Sequence, residues 1–149
     1  RHLATSKFEP THARQAFPCL DEPNMKAEFT ITLVHRPEYI ALSNMPQDGQ
    51  STEPTDRPGF VKTKFGRSVK MSTYLLCFIV CDFNYTETRS NSGTPIRVFA
   101  TPDKVDLTVY ALEVATRVID SFGTLFNITY PLPKQDLIAI PDYKTGATE

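Results

Sequence analysis

From Ala27 to His35 apolar and polar residues alternate, with Phe29, Ile31 and Leu33 on one side and Thr30 and Thr32 on the other. That period of two predicts a half-buried strand. Arg36-Pro37 ends it, and a shorter strand is expected from Glu38 to Leu42. Between Ser43 and Gly59 apolar residues are sparse, and Pro46, Gly49, Pro54, Pro58 and Gly59 interrupt the chain. A mobile loop or ragged hairpin tip is expected there, with no function attached. Alternation returns over Phe60–Phe65, with Lys62 and Lys64 pointing outward. Tyr74–Phe83, YLLCFIVCDF, is apolar on both faces and too short to cross a membrane as a helix, which fits a central strand covered on both sides. Gly93–Ala100 supplies one more strand. Strands at this spacing without intervening helices predict a mainly β chain, built as an antiparallel sandwich or saddle-shaped sheet.

At Thr101-Pro102-Asp103 the period changes. Thr is a good N-cap, Pro suits the first helical position, and Asp favours the positive end of the helix dipole. Val105, Val109, Leu112, Thr116, Ile119 and Phe122 then recur at helical spacing, predicting an amphipathic helix of roughly five turns. A domain boundary is therefore expected near residues 100–103, separating 1–101 from 102–149. Pro131 and Pro133 break the chain after the helix, Leu137–Ile140 reads as a short buried strand, and Pro141–Glu149 as the loop beyond it. A helix and one strand cannot close over their own apolar faces, so the second domain is expected to be cut.

One stretch obeys neither period. Phe8–Phe29, FEPTHARQAFPCLDEPNMKAEF, sets Glu9, Arg14, Asp21 and Glu22 among Phe8, Phe17 and Leu20, and Pro10, Pro18 and Pro23 each remove a backbone donor. It reads as one short helical turn starting at Pro10 or Thr11 and carrying Ala13, Arg14 and Phe17. A rigid loop through Cys19–Pro23 then leads into the first strand.

Composition narrows the partners. The 149 residues carry a net charge of −1, which gives no electrostatic footprint for nucleic acid or an anionic membrane. No apolar run reaches the roughly 18 residues that span a bilayer, and the opening RHLATSKFEP is no signal peptide. A membrane anchor, if the parent protein has one, is expected outside this chain. Of the three cysteines, Cys77 and Cys81 fall about 13 Å apart on one strand, too far for a disulfide with each other. All three are expected to be small buried hydrophobes. Two glycosylation sequons, Asn84-Tyr-Thr and Asn127-Ile-Thr, each follow an apolar segment where an exposed loop is expected, and lean toward a secretory-pathway lumen or the cell exterior.

The histidines are His2, His12 and His35, with no pair at the i, i+4 spacing that holds zinc on a helix and no His-Glu-x-x-His. Surface or capping roles are expected for His12 and His35, and no catalytic residue is expected in this chain.

The segment FEPTHARQAFPCLDEPNMKAEFTITL closely resembles the amino-terminal domain of zinc aminopeptidases of the aminopeptidase N and oxytocinase type. In the same family a helix follows, then PYPLPKxDLxAIPD and a Gly-Ala-Met-Glu-Asn box; this chain has YPLPKQDLIAIPDYKTGATE from Tyr130 to Glu149. The resemblance covers nearly the whole chain. It implies the end of an amino-terminal β-domain followed by the first helix and strand of an α+β, thermolysin-like catalytic domain, hence a fragment. It also implies zinc in the intact protein, held by ligands outside this chain, and peptide substrates with a free amino terminus. Glu149 would be a principal ligand of the substrate's α-ammonium, and Glu9 the second contact. Gly146 and Ala147 would run along the substrate backbone. Thr148 stands where the family usually has Met, a departure that bears on the pocket for the first side chain. The rival expectation is a non-catalytic, truncated binding or receptor module built on the β-domain.

Overall fold

A computed structural model describes residues 2–49 and 52–143. Among them the elements run β1 (Ala4–Thr5), α1 (Ala13–Ala16), β2 (Thr32–His35), β3 (Ile40–Ser43), β4 (Glu53–Pro54), β5 (Val61–Lys64), β6 (Phe78–Cys81), β7 (Asn84–Arg89), β8 (Pro95–Ala100), α2 (Val109–Phe126) and β9 (Gln135–Ile138). They gather into two compact units, one running to Asp82 and one beginning at Phe83.

The first unit holds two antiparallel three-stranded sheets, ordered β1-β6-β3 and β2-β5-β4. β6 is the central strand expected of an apolar run, and Ile79 and Cys81 are almost wholly buried on one of its faces. It is shorter than the run, because Thr73–Leu75 turns as a 3-10 helix. Asn44 then supplies what a neighbouring strand would: its side chain donates to Leu75 O at 2.8 Å and accepts from Cys77 N at 3.0 Å. The stretch expected to be a loose tip is thus partly built in. Gln47 bridges Phe65, and β4 adds to the edge of β5, with Glu53 and Asp48 pairing Lys62 and Lys64.

The alternation over Ala27–His35 is present, Phe29, Ile31 and Leu33 being the more covered side. Regular pairing starts only at Thr32, since the Ser68 hydroxyl, rather than a backbone carbonyl, accepts from Phe29 N at 2.9 Å. His35 corrects the expectation of a surface or capping residue. It is 4% exposed, its Nδ1 lies 2.8 Å from Arg36 O, and its Nε2 lies 2.8 Å from Thr63 Oγ1 on β5. It continues the inward set of β2 by period, and an imidazole with both nitrogens partnered can be buried.

In the second unit β7 and β8 form an antiparallel hairpin, and β9 lies parallel to β8, Val98 against Leu137. β7 falls outside the expected strands; its alternation is weak because Asn84, Thr86, Glu87, Thr88 and Arg89 are all polar. The tip is closed by Gly93, whose φ of +88° is a conformation most side chains avoid. A β-helix-β connection returns the chain to the parallel edge. Within it, Thr101-Pro102-Asp103 does not cap α2. Lys104 N bonds Thr101 O at 2.8 Å, Val105–Thr108 form a 3-10 turn, and the α-helix begins at Val109. The start is set by an anchor to the sheet, Thr108 Oγ1 lying 2.7 Å from Thr86 Oγ1.

That anchor turns Ala115 to the sheet, flanked by Leu112 and Ile119. Val109 and Phe122, expected on the inner stripe, are instead 61% and 53% exposed. Tyr110, Val114, Val118, Leu125 and Phe126 are exposed with them, so the helix carries a second apolar stripe that nothing in its own unit covers. Among the described residues no helix is long and apolar enough to cross a membrane.

Candidate functional site

Glu9 follows a buried aromatic anchor. Phe8 before it is 7% exposed and joins Ala13, Met71 and Leu76 in a core cluster. Its ring meets Phe17 edge-on at 6.0 Å and Phe78 at 5.3 Å, and Phe17 in turn meets Phe29 at 6.5 Å. His12 N bonds Phe8 O at 2.8 Å, closing a turn that leads into α1. Glu9, one residue past the buried ring, is exposed. A single helical turn is present and carries Ala13 and Arg14, but it starts at Ala13 rather than at Pro10 or Thr11, and Phe17, expected on it, is extended at its C-cap; it has no side-chain cap.

The far end of the segment is tied by a buried carboxylate. Asp21, 4% exposed, accepts from the backbone N–H of Arg14 at 3.1 Å and from its Nε at 3.2 Å, while Thr73 donates to Oδ1 at 2.5 Å. Arg14 also donates to Asp21 O at 2.6 Å. The Thr73 hydroxyl and then the Arg14 contacts hold the Asp21 carboxyl below its ordinary value, outweighing the opposing effect of burial. Ser72 Oγ donates to Pro23 O at 2.5 Å and fixes the next turn. Cys19 is partly buried against the aromatic cluster, and burial pushes its thiol up, which makes it a poor nucleophile.

A second polar cluster orders β9, the strand that leads to the carboxy-terminal residues. Asp136 receives Arg97 Nε at 2.8 Å and Nη2 at 2.7 Å, and Lys134 Nζ at 2.5 Å. Arg97 faces Asp136 directly in the parallel register and lies against the Tyr85 and Phe99 rings. Burial opposes the Arg97 charge, and the Asp136 carboxylate more than offsets it, so the pKa is raised. Tyr130, whose phenol donates to Gln135 Oε1, is pushed up by burial and by the Asp136 charge.

Of the expected substrate-binding residues, Glu9 is described and is exposed on the turn after Phe8; Gly146, Ala147, Thr148 and Glu149 lie outside the described residues. Asn84 and Asn127 are both exposed, but Asn84 opens β7, paired opposite Ala100, rather than lying in a loop. Among the described residues no three of His, Cys, Asp or Glu gather as metal ligands, and His35 has both ring nitrogens engaged. Asp21 with Arg14, and Asp136 with Arg97, were not assigned any partner from the pattern of residues. The available signal was an acid set in an apolar context, which burial obliges to find a cation.

Two family profiles match the chain: the Peptidase M1 N-terminal domain over residues 1–75 and the Peptidase family M1 domain over residues 110–149. Endoplasmic reticulum aminopeptidase 1 of Mus musculus is 46% identical over all 149 residues, 100% of this chain and 16% of that protein. Aminopeptidase A of Gloydius brevicauda is 47% identical and glutamyl aminopeptidase of Mus musculus 46%, each over 100% of this chain and 15% of the relative. The chain thus spans about a sixth of the length of these relatives.

Proposed function

This chain belongs to the peptidase M1 family, and from that premise we propose that it supplies α-amine recognition to a zinc-dependent aminopeptidase of which it is one part. Zinc and the groups that use it belong, in this reading, to the remainder of the catalytic domain; the sequence carries no His-Glu-x-x-His. In this reading residues 1–101 are the end of the amino-terminal β-domain and 102–149 the start of the catalytic domain, the boundary falling between the two matched stretches. The hairpin β7–β8 groups with α2 by packing although it precedes that boundary in sequence.

The observation that carries the reading is Glu9. An exopeptidase must hold the substrate's free ammonium at a fixed distance from the scissile bond, and a carboxylate does this well only if its backbone does not move. Phe8 in the core and the turn from Phe8 O to His12 N meet that need, and leave the Glu9 side chain outward. Glu149 is the principal amine ligand and Glu9 the second contact, and Gly146 and Ala147 let substrate backbone approach closely. Thr148 in place of Met changes the pocket for the first side chain. A non-catalytic module is disfavoured by the second apolar stripe of α2, since an independent module seldom leaves so much apolar surface open. The parent protein acts on peptides with a free amino terminus in a secretory-pathway lumen, at the cell surface or outside the cell; any membrane anchor belongs to the remainder of the protein.

The test is Glu149→Gln in the intact protein, assayed with matched free and amino-acetylated peptides. Loss of the charge facing the ammonium lowers kcat/KM on free peptides by on the order of 2–4 kcal/mol in transition-state terms and leaves acetylated ones nearly unchanged. An equal loss on both would make the carboxylate structural and sink the assignment.

A further inference from the structure

The two sequons are alike in sequence and unlike in the fold. Asn84-Tyr85-Thr86 lies within β7, paired residue by residue with Ala100, Phe99 and Val98 of β8. The Tyr85 ring lies 4.9 Å from that of Phe99, and the Thr86 hydroxyl is engaged with Thr108 at 2.7 Å. Presenting this tripeptide whole to a modifying enzyme requires the hairpin to open. Asn127-Ile128-Thr129 follows the last turn of α2 and belongs to no strand or helix. Asn127 adopts a left-handed conformation, φ 51° and ψ 40°, and its backbone N–H closes the helix on Gly123 O and Thr124 O. Its side chain is exposed, as is Thr129. A left-handed helix end needs Gly or Asn; Asn with Thr two residues on adds an acceptor that the cap does not require.

We propose that Asn127 is the N-glycosylated position of this chain, occupied more fully than Asn84. The inference rests on the lumenal or extracellular placement of the parent protein. In the reaction Asn127 Nδ2 forms a bond to the anomeric carbon of a lipid-diphosphate-linked oligosaccharide. The bond from that carbon to the diphosphate oxygen breaks, the lipid diphosphate leaves with the electron pair, and Nδ2 gives up one proton. The attached sugar is bulky and polar, and it leaves from the side chain of a residue whose backbone N–H already closes the helix, so the cap itself is kept.

Trypsin separates the two positions, Asn84 into residues 71–89 and Asn127 into residues 118–134. The full-length parent protein is made in cells with a secretory pathway, fractionated, and treated with peptide N-glycosidase in heavy-oxygen water, which labels each asparagine that carried sugar. Label in 118–134 exceeding that in 71–89 is the expected result. Thr129→Ala, which keeps the asparagine cap, and Asn127→Gly, which keeps the left-handed backbone, should each lose one glycosidase-sensitive step in mobility. Label in 118–134 equal to or below that in 71–89, or absent from lumenal protein, overturns the inference while the placement stands. Unglycosylated protein confined to the cytosol overturns the placement itself.

Discussion

Asp21 has almost no contact with water, and its carboxylate is satisfied by a hydroxyl, a backbone N–H and a guanidinium from two separate parts of the chain. Removing charge from such a group leaves donors facing an acceptor that no longer suits them. Asp21→Asn should lower Tm well beyond Asp48→Asn, whose pair with Lys64 is exposed on both sides. Equal shifts for the two variants would mean the Asp21 knot is incidental. The sign of the pH dependence follows from the lowered pKa: the contribution is fully present above the ordinary carboxylate range and is lost as pH falls through the folded value beneath it. Acid denaturation of Asp21→Asn should accordingly be shallower in that window than that of the parent chain. Glu9 lies close by in sequence but is exposed, and its role is toward a ligand rather than the fold. Glu9→Gln in the intact protein should reproduce the free-amine selectivity loss of Glu149→Gln at smaller size, with folding unchanged. Thr148→Met should alter preference among first side chains and keep the demand for a free amine.

Helix α2 has two apolar sides with different fates. Ala115 is 9% exposed and is the one buried residue of the helix. Ala115→Leu should cost about 1–3 kcal/mol by urea denaturation of this chain. Val118, 40% exposed on the other stripe, should tolerate Ser within about 0.5 kcal/mol in the same measurement, provided that stripe is open. In the full-length parent, where the remainder of the catalytic domain is proposed to cover it, Val118→Ser should become destabilising. A large loss already in the short chain would show that another surface covers the stripe.

For the chain as a whole, the covered and uncovered sides of α2 set the order of local stability. Hydrogen exchange should find Val109–Ile119 faster than Tyr74–Val80, because one face of the helix is exposed while β6 is paired on both edges. Equal protection would require a partner for the helix. The purified chain should release no amino-terminal residues from peptides with or without added zinc, since the described residues bring no metal ligands together. Zinc-dependent activity from these 149 residues alone would remove the basis for the domain assignment.

What local pattern determined and what only the folded chain decided divide along a physical line. Period-two alternation placed the inward face of β2, a doubly apolar run marked β6 as central, and a 3.6-residue period marked α2, because each records burial of a side chain by its own element. The texture of Phe8–Phe29 marked a short helical turn, which forms at Ala13–Ala16 rather than from Pro10 or Thr11. Partnership across distance was not legible. Nothing adjacent to Asp21 names Thr73, 52 residues away, or pairs Asp136 with Arg97, 39 residues away, and Asn44 acquires its strand-like role only when Leu75 and Cys77 come beside it. The start of α2 moved from a good local cap at Thr101 to Val109 because the Thr86–Thr108 contact fixes where the helix can lie on the sheet. That same contact chose which of two apolar stripes turns inward. Hydrophobicity along a helix states how much of it must be covered; only packing decides against what.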